Sequence, residues 1–533
     1  MIAGDVTTSR ARRTIADPAT GALSDISALN ALSAISALGW ARGRRPMGGV
    51  RPALALAALA LLAGCGERAE PRSIVLTECR LPRFSQPAQC GTVDVPENRA
   101  RPNGRRIKLF VAVLPANTAS PRPDPFVILA GGPGQAASQL APFAAQMNAL
   151  RRTRDIVLVD QRGTGRSAPL DCMAFEPNRR DAFETDPLPR AELCANELRT
   201  NGVDAGQYTT SAWVADLDAV RAALGYTKLN LWGGSYGSRA ALEYMRRYPD
   251  RVRTAVLDGV LPPSVRVSLD VWPTRDAALS GIIAACRASP KCVAAHPDPA
   301  TTLAAIEEDL GPAGKAIALT DPRTGETMSV TVTFDLVMGA LQPLTYIPEL
   351  GGLVPELLDR AANGDYGPLV ATVDIVTGNL SEQMNAALHY SVTCAEDVPR
   401  IGAGERSSAL DGVRARGLAN LVIGVCDVWP RGDMPADFGA PVQSDIPVLL
   451  LSGGLDPVTP PAYAEEVART LTNSKQIVAS GFGHIVSGQG CAPRLVASFV
   501  ETAGFAGLSP SCLEHLQNSA RPPLWPDRLG PQP

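Results

Sequence analysis

A serine, an aspartate and a histidine occur in that order, each just behind an apolar run, in this chain of 533 residues. Ser235 lies in Gly233-Gly234-Ser235-Tyr236-Gly237, after Leu229-Asn230-Leu231-Trp232 and before a helix-like stretch from Ser238 to Arg247. Asp456 follows the run 448–451 through Ser452-Gly453-Gly454-Leu455, and His484 closes Gly481-Phe482-Gly483-His484 behind the run 475–479. A serine hydroxyl is a poor nucleophile until a base takes its proton, and that base needs an acid to fix its tautomer. Glycines around Ser235 suit a turn too tight for larger side chains, a nucleophile elbow. One such pentapeptide can match by chance. Three residues in order behind three expected strands form a specific signal, with Ser235 as nucleophile, His484 as base and Asp456 as acid.

The same chemistry needs backbone N–H groups aimed at the developing oxyanion. The expected donors are Tyr236, directly after the nucleophile, and Gly132 or Gly134 of Gly131-Gly132-Pro133-Gly134, because Pro133 has no N–H. A plain strand-to-helix turn is the other reading of that loop. Asp160-Gln161-Arg162-Gly163 lacks the spacing and lysine of a phosphate-binding loop, so Asp160 and Arg162 are expected to brace the site by hydrogen bonds. Of the other histidines, His389 is expected to pack inside the inserted region, and His296 and His515 follow no core strand.

The elements that must position these residues alternate along the chain. Residues 107–113, 126–130, 156–159, 229–232, 254–258, 446–451 and 475–479 read as strands, and 138–149, 212–224, 238–247, 461–472 and 492–503 as helices. Most of these strands are continuously apolar, which predicts an α/β fold with a mostly parallel sheet covered on both faces. The rhythm breaks at Pro262-Pro263 and resumes at Ile446. Between them lie helical patches at 276–287, 301–310 and 334–341 and one Thr/Val stretch at 328–333. The expected organisation is a core of 75–263 and 436–515, a mainly helical cap inserted at 264–435, and an irregular Pro-rich tail at 516–533.

Composition narrows the function class. Fifty Lys and Arg balance 53 Asp and Glu, and aromatics are only 5%, so a basic, aromatic-lined nucleic-acid surface is not expected. The run 53–64 is too short to span a bilayer but suits a secretory signal, and Leu62-Ala63-Gly64-Cys65 resembles a lipobox with Cys65 as the lipidated residue. A normal cationic start at Met47 suggests that 1–46 precede the true beginning, so 1–64 are set aside as signal. Removing them takes away seven Arg and three Asp, moving the net charge from −3 to −7. The expected location is the cell envelope of a bacterium, periplasm-facing or at the surface, with a lipid anchor as the only membrane contact; a plain secretory signal with a chance cysteine, and so a secreted chain, is the alternative. Ten further cysteines fit an exported, disulfide-bonded chain. Consecutive pairing gives Cys79–Cys90, Cys172–Cys194, Cys286–Cys292, Cys394–Cys426 and Cys491–Cys512, a connectivity that spacing alone does not fix. No CxxC pair and only scattered histidines are present, so neither a metal nor a cofactor is expected.

The motifs together resemble the prolyl and tripeptidyl aminopeptidase group of α/β hydrolases (peptidase family S33), and in particular its secreted members with a TAP-like final segment. The matching stretches are 131–134, 160–167 and 233–238, the lead-in 90–96, Cys394-Ala395-Glu396-Asp397, and Gly454-Leu455-Asp456-Pro457-Val458-Thr459-Pro460. The resemblance implies an α/β-hydrolase core, a helical cap, and release of N-terminal residues or short peptides from peptides with a free N-terminus. One departure is Ala130, where the family commonly carries His. An aminopeptidase also needs a carboxylate for the substrate ammonium, and Glu396 and Asp397 are the candidates; a solvated acidic pair or helix cap is the alternative. The same triad would equally serve an exported carboxylesterase or lipase, and an inactive binding homologue is the reading from a different class.

Overall fold

The computed structural model describes residues 73–175, 186–320, 327–372, 383–511 and 513–514. The signal-like run with Cys65, Cys512 of the fifth expected pair, His515 and the tail lie outside the described residues.

A nine-stranded sheet in the order β1-β2-β3-β5-β4-β6-β7-β10-β11 forms the core. Its strands are β1 Thr77–Cys79, β2 Ala88–Pro96, β3 Arg106–Leu114, β4 Phe126–Leu129, β5 Ile156–Val159, β6 Leu229–Gly234, β7 Val252–Asp258, β10 Val448–Gly453 and β11 Ser474–Ala479. From β5 to β11 all neighbours run parallel, whereas β1, β2 and β3 pair antiparallel at one edge. The continuous apolar runs have a simple cause. In β4, Phe126 and Ile128 enter one core cluster while Val127 and Leu129 enter the other; β10 divides Val448 and Leu450 from Leu449 and Leu451 in the same way. A strand buried on both faces favours apolar side chains at successive positions, not at alternate ones. Parallel strands also bring the ends of β4, β5, β6, β7, β10 and β11 to one edge of the sheet, where their loops converge.

Between β7 and β10 lies a region with its own core, built around Leu269, Trp272, Ile283, Leu303, Val337 and Leu358. It contains helices Val267–Arg287, Pro299–Leu310, Phe334–Leu341, Val354–Ala362, Ala386–Glu396 and Arg416–Gly424. It also holds an antiparallel hairpin of β8 Lys315–Thr320 and β9 Thr327–Val332. Only the second of these strands is foreshadowed by the Thr/Val stretch, because β8 carries two alanines, which are depleted in strands, where β9 carries Thr and Val.

Other differences from the expected elements have local reasons. The first cap helix begins at Val267, well before 276, and runs through Pro273; Thr274 Oγ1 donates to Val271 O at 2.9 Å there. The helix expected over 138–149 is three short pieces, Ala137–Leu140, Ala141–Gln146 and Asn148–Arg151. Pro142 lacks an N–H and is tolerated only in a first turn, so a new helix starts there. The lead-in supplies β1 and β2, and the Cys79–Cys90 disulfide joins them. Cys172–Cys194, Cys286–Cys292 and Cys394–Cys426 are also bonded.

Candidate active site

Ser235 sits between β6 and the helix Tyr236–Arg247 with φ 56° and ψ −124°. That conformation is costly for a side-chain-bearing residue, by about 1–3 kcal/mol, and persists only where surrounding contacts impose it. Here they do. The Ser235 N–H donates to Asp258 O at 2.9 Å, and Ser238 Oγ lies 2.6 Å from Ser235 O and 3.3 Å from Gly259 O. The glycines are required by close approach. A Cβ on Gly237 would stand 2.1 Å from Leu129 O, and one on Gly233 would stand 2.2 Å from Gly237 O.

His484 packs on the other side of Gly259, where an added Cβ would lie 3.1 Å from His484 Cε1. The Ser235 elbow and the imidazole are thereby brought to one glycine. His484 Nδ1 is 2.8 Å from Asp456 Oδ2, and Asp456 also accepts from Val458 N, Thr459 N and Thr459 Oγ1 at 3.0, 2.8 and 2.6 Å. Burial alone would raise the Asp456 carboxyl, but the His484 charge and the Thr459 donors outweigh it and hold it below the ordinary range. Burial would likewise depress the imidazole, and Asp456 outweighs it, leaving His484 above its ordinary value.

A second carboxylate, overlooked in the sequence, supports this arrangement. Asp258 ends β7 and is fully buried. It accepts from Val486 N at 2.9 Å, from Ser487 N at 2.6 Å and from Ser487 Oγ, fixing the loop just after His484. Burial pushes its carboxyl up against these donors. Its one sequence signal is an acid at the end of an apolar strand.

Tyr236 is the first residue of its helix, so its N–H is among the donors a helix leaves without an internal acceptor. Its hydroxyl is 2.6 Å from Thr210 Oγ1 and accepts from Gln161 Nε2 at 3.2 Å. The loop with Gly132 and Gly134 follows β4 and is covered by the cap. A Cβ on Gly132 would clash with Met384 Cε at 2.2 Å, and Asn385 N donates to Gly134 O at 2.9 Å. His389 lies on the helix Ala386–Glu396 of the inserted region. Its ring lies near enough to the Pro133 carbonyl of this loop to feel it; burial, the largest influence, lowers its pKa, and that carbonyl opposes the shift. From the cap side, Tyr346 meets His484 edge-on with ring centroids 5.3 Å apart, and Tyr346 O accepts His484 N–H at 3.1 Å.

Asp160 accepts from Ser138 N and Oγ at 2.8 and 3.0 Å and from Arg166 N at 3.0 Å. Arg162 instead forks onto Asp216 at 2.6 and 2.7 Å and donates to Glu97 O at 2.7 Å. The two brace different segments.

Glu396 and Asp397 stand otherwise than expected for receivers of a substrate ammonium. Both are fully buried. Glu396 accepts from Thr210 N at 2.6 Å and Thr210 Oγ1 at 2.9 Å. Asp397 pairs with Arg239 at 3.1 Å and Arg400 at 3.3 Å and takes Ser268 N at 3.3 Å. The reason is that Arg239, on the helix following Ser235, reaches both acids. Arg239 comes only within 4.0 Å of Glu396, so burial dominates there and lifts the Glu396 carboxyl to about 7.

Comparison with known proteins agrees with this geometry at the level of fold. Residues 124–295 match the family described as alpha/beta hydrolase fold, and 414–512 match the one described as TAP-like protein. The tripeptidyl aminopeptidase of Streptomyces lividans is 33% identical over 34% of this chain and 36% of its own length; the chain thus spans little more than a third of that relative. Serine protease Hip1 of Mycobacterium tuberculosis is 26% identical over 84% of this chain and 94% of that protein. Carboxylesterase B of the same organism is 28% identical over 38% of this chain and 43% of its own.

Proposed function

From the premise that the chain is an α/β-hydrolase superfamily enzyme with a TAP-like C-terminal segment, we propose that it hydrolyses carboxylic esters through an acyl-enzyme on Ser235. His484 takes the hydroxyl proton as Ser235 Oγ attacks the ester carbonyl. It then returns that proton to the departing alcohol, and water repeats the exchange to release the acid. Asp456 holds Nδ1 and favours the imidazolium that forms. The N–H of Tyr236 and one from Gly132 or Gly134 receive the oxyanion.

The observation that carries the ester reading is the state of Glu396 and Asp397. Donors of the chain already engage them, and Arg239 and Arg400 offset their charge, which leaves little to bind an ammonium group. An aminopeptidase is the second reading, favoured by the extent of the likeness to serine protease Hip1. The same proposal places the enzyme in the cell envelope, tethered by lipid at Cys65; Cys65→Ala should abolish incorporation of labelled palmitate. The deciding experiment compares kcat/KM on short-chain p-nitrophenyl esters with free and N-acetylated alanyl, prolyl and tripeptidyl anilides. Ester turnover well above every anilide supports the proposal, and preference for free-amine anilides replaces it with the aminopeptidase.

A further inference from the structure

Arg275, on the first cap helix, has no carboxylate in salt-bridge range among the described residues. Other cap arginines, Arg266, Arg400 and Arg414, each pair with at least one. The Arg275 guanidinium lies 5.2 Å from the centre of the Trp272 ring and 5.9 Å from that of Tyr346, and its Nη2 donates to Tyr346 Oη at 2.9 Å. Among the described residues its Nε is buried without a partner. Tyr346 in turn packs edge-on against His484, so one tyrosine ring separates a permanent cation from the candidate base. The Arg275 charge is felt at His484 and also at His389, which lies near the loop of Gly132 and Gly134. A second buried donor without a partner among the described residues, Gln342 Nε2, lies on the same 342–346 segment as Tyr346. Both orphaned groups are donors, and a buried donor left unmade is costly. What would satisfy a rigidly held guanidinium is a planar anion that can take two N–H groups, and that describes a carboxylate.

We propose that Arg275 is the anion subsite of the substrate pocket, receiving a carboxylate that the substrate carries a few bonds from its scissile carbonyl. The inference rests on the ester-hydrolase reading above and narrows its substrate class to half-esters of dicarboxylic acids and esters of like charge. The two aromatic rings hold the guanidinium in place before substrate arrives, so binding orders little.

The test uses the full enzyme and pairs of p-nitrophenyl esters matched in length, the hemiglutarate against the valerate. The readout is the ratio of their kcat/KM values in wild type, Arg275→Gln and Arg275→Lys. Wild type should favour the anionic ester, Arg275→Gln should lower that ratio by about tenfold or more through KM, and Arg275→Lys should keep part of it. A structural role for Arg275 would slow both esters alike and leave the ratio unchanged, which overturns the proposal, as does a wild-type ratio at or below unity. If neither ester turns over, the ester-hydrolase reading has failed, and calorimetric binding of glutarate decides the subsite separately. Binding by wild type that is lost in Arg275→Gln supports it, and no binding by wild type overturns it.

Discussion

Two clusters of buried carboxylates touch the turn that carries Ser235, and their partners are of opposite kinds. On one side, Asp456 and Asp258 face a titratable imidazole, a hydroxyl and backbone N–H groups. On the other, Asp397 faces the guanidinium groups of Arg239 and Arg400, and Glu396 lies near Arg239. An acid beside a histidine changes what that histidine does with a proton, because the partner's charge is variable. An acid beside arginine meets a charge that never changes, so the pair can only hold structure in place. Buried carboxylates are thus suited to chemistry in one cluster and to cohesion in the other.

The contrast is sharpest at the nucleophile. Ser235→Ala should lower kcat by about four to six orders of magnitude without changing the unfolding midpoint, and ester turnover near wild-type rates would remove the basis of the proposed mechanism. Asp456→Asn should cost about 10³–10⁴ in kcat. It should also shift the pH profile. Activity needs neutral imidazole, and His484 titrates above its ordinary 6.5 because of Asp456, so kcat/KM should rise with pH through a midpoint above 6.5 that falls in the variant. An unmoved midpoint would separate Asp456 from His484 function.

The arginine-paired side should answer in stability instead. Arg239→Gln leaves two buried acids short of their cation, and denaturant unfolding should show a loss of about 3 kcal/mol; an unchanged midpoint would contradict the cohesive role. Asp258→Asn keeps shape but loses charge and one acceptor in the loop after His484. A drop of about 10- to 100-fold in kcat with little change in KM is expected, and equal kinetics would mean the loop holds itself. The smallest effect concerns Glu396. Its folded carboxyl ionises near 7 against an ordinary 4.5, so between those values the folded chain binds the extra proton and stability falls as pH rises. Glu396→Gln should flatten Tm against pH across that window; an unaltered slope would show that Glu396 is ionised throughout.

The division between what was legible in the sequence and what was not follows the range of the interactions involved. Glycines at 233 and 237 are needed by atoms a few residues away or on the adjacent strand, and strands such as Phe126–Leu129 are apolar on both faces because both are covered. Local pattern alone therefore carried the elbow, the parallel core and the order Ser235, Asp456, His484. Asp258 was visible only as an acid ending a strand, since its partners lie 228 and 229 positions away. Glu396 and Asp397 were singled out as chemically interesting, yet their reading turned on Arg239, separated from Asp397 by 158 residues. His389 and Arg275 carry no pattern at all, because a cap side chain acquires its neighbours only when the insertion closes over the sheet. The sequence by itself determined which groups could react and on what scaffold, because those demands are written in short-range sterics and periodic burial. Only the tertiary structure decided which acids are matched by arginine and that Arg275, with no carboxylate beside it among the described residues, stands one tyrosine ring from the base, because charge pairing is set by distance in space and not along the chain.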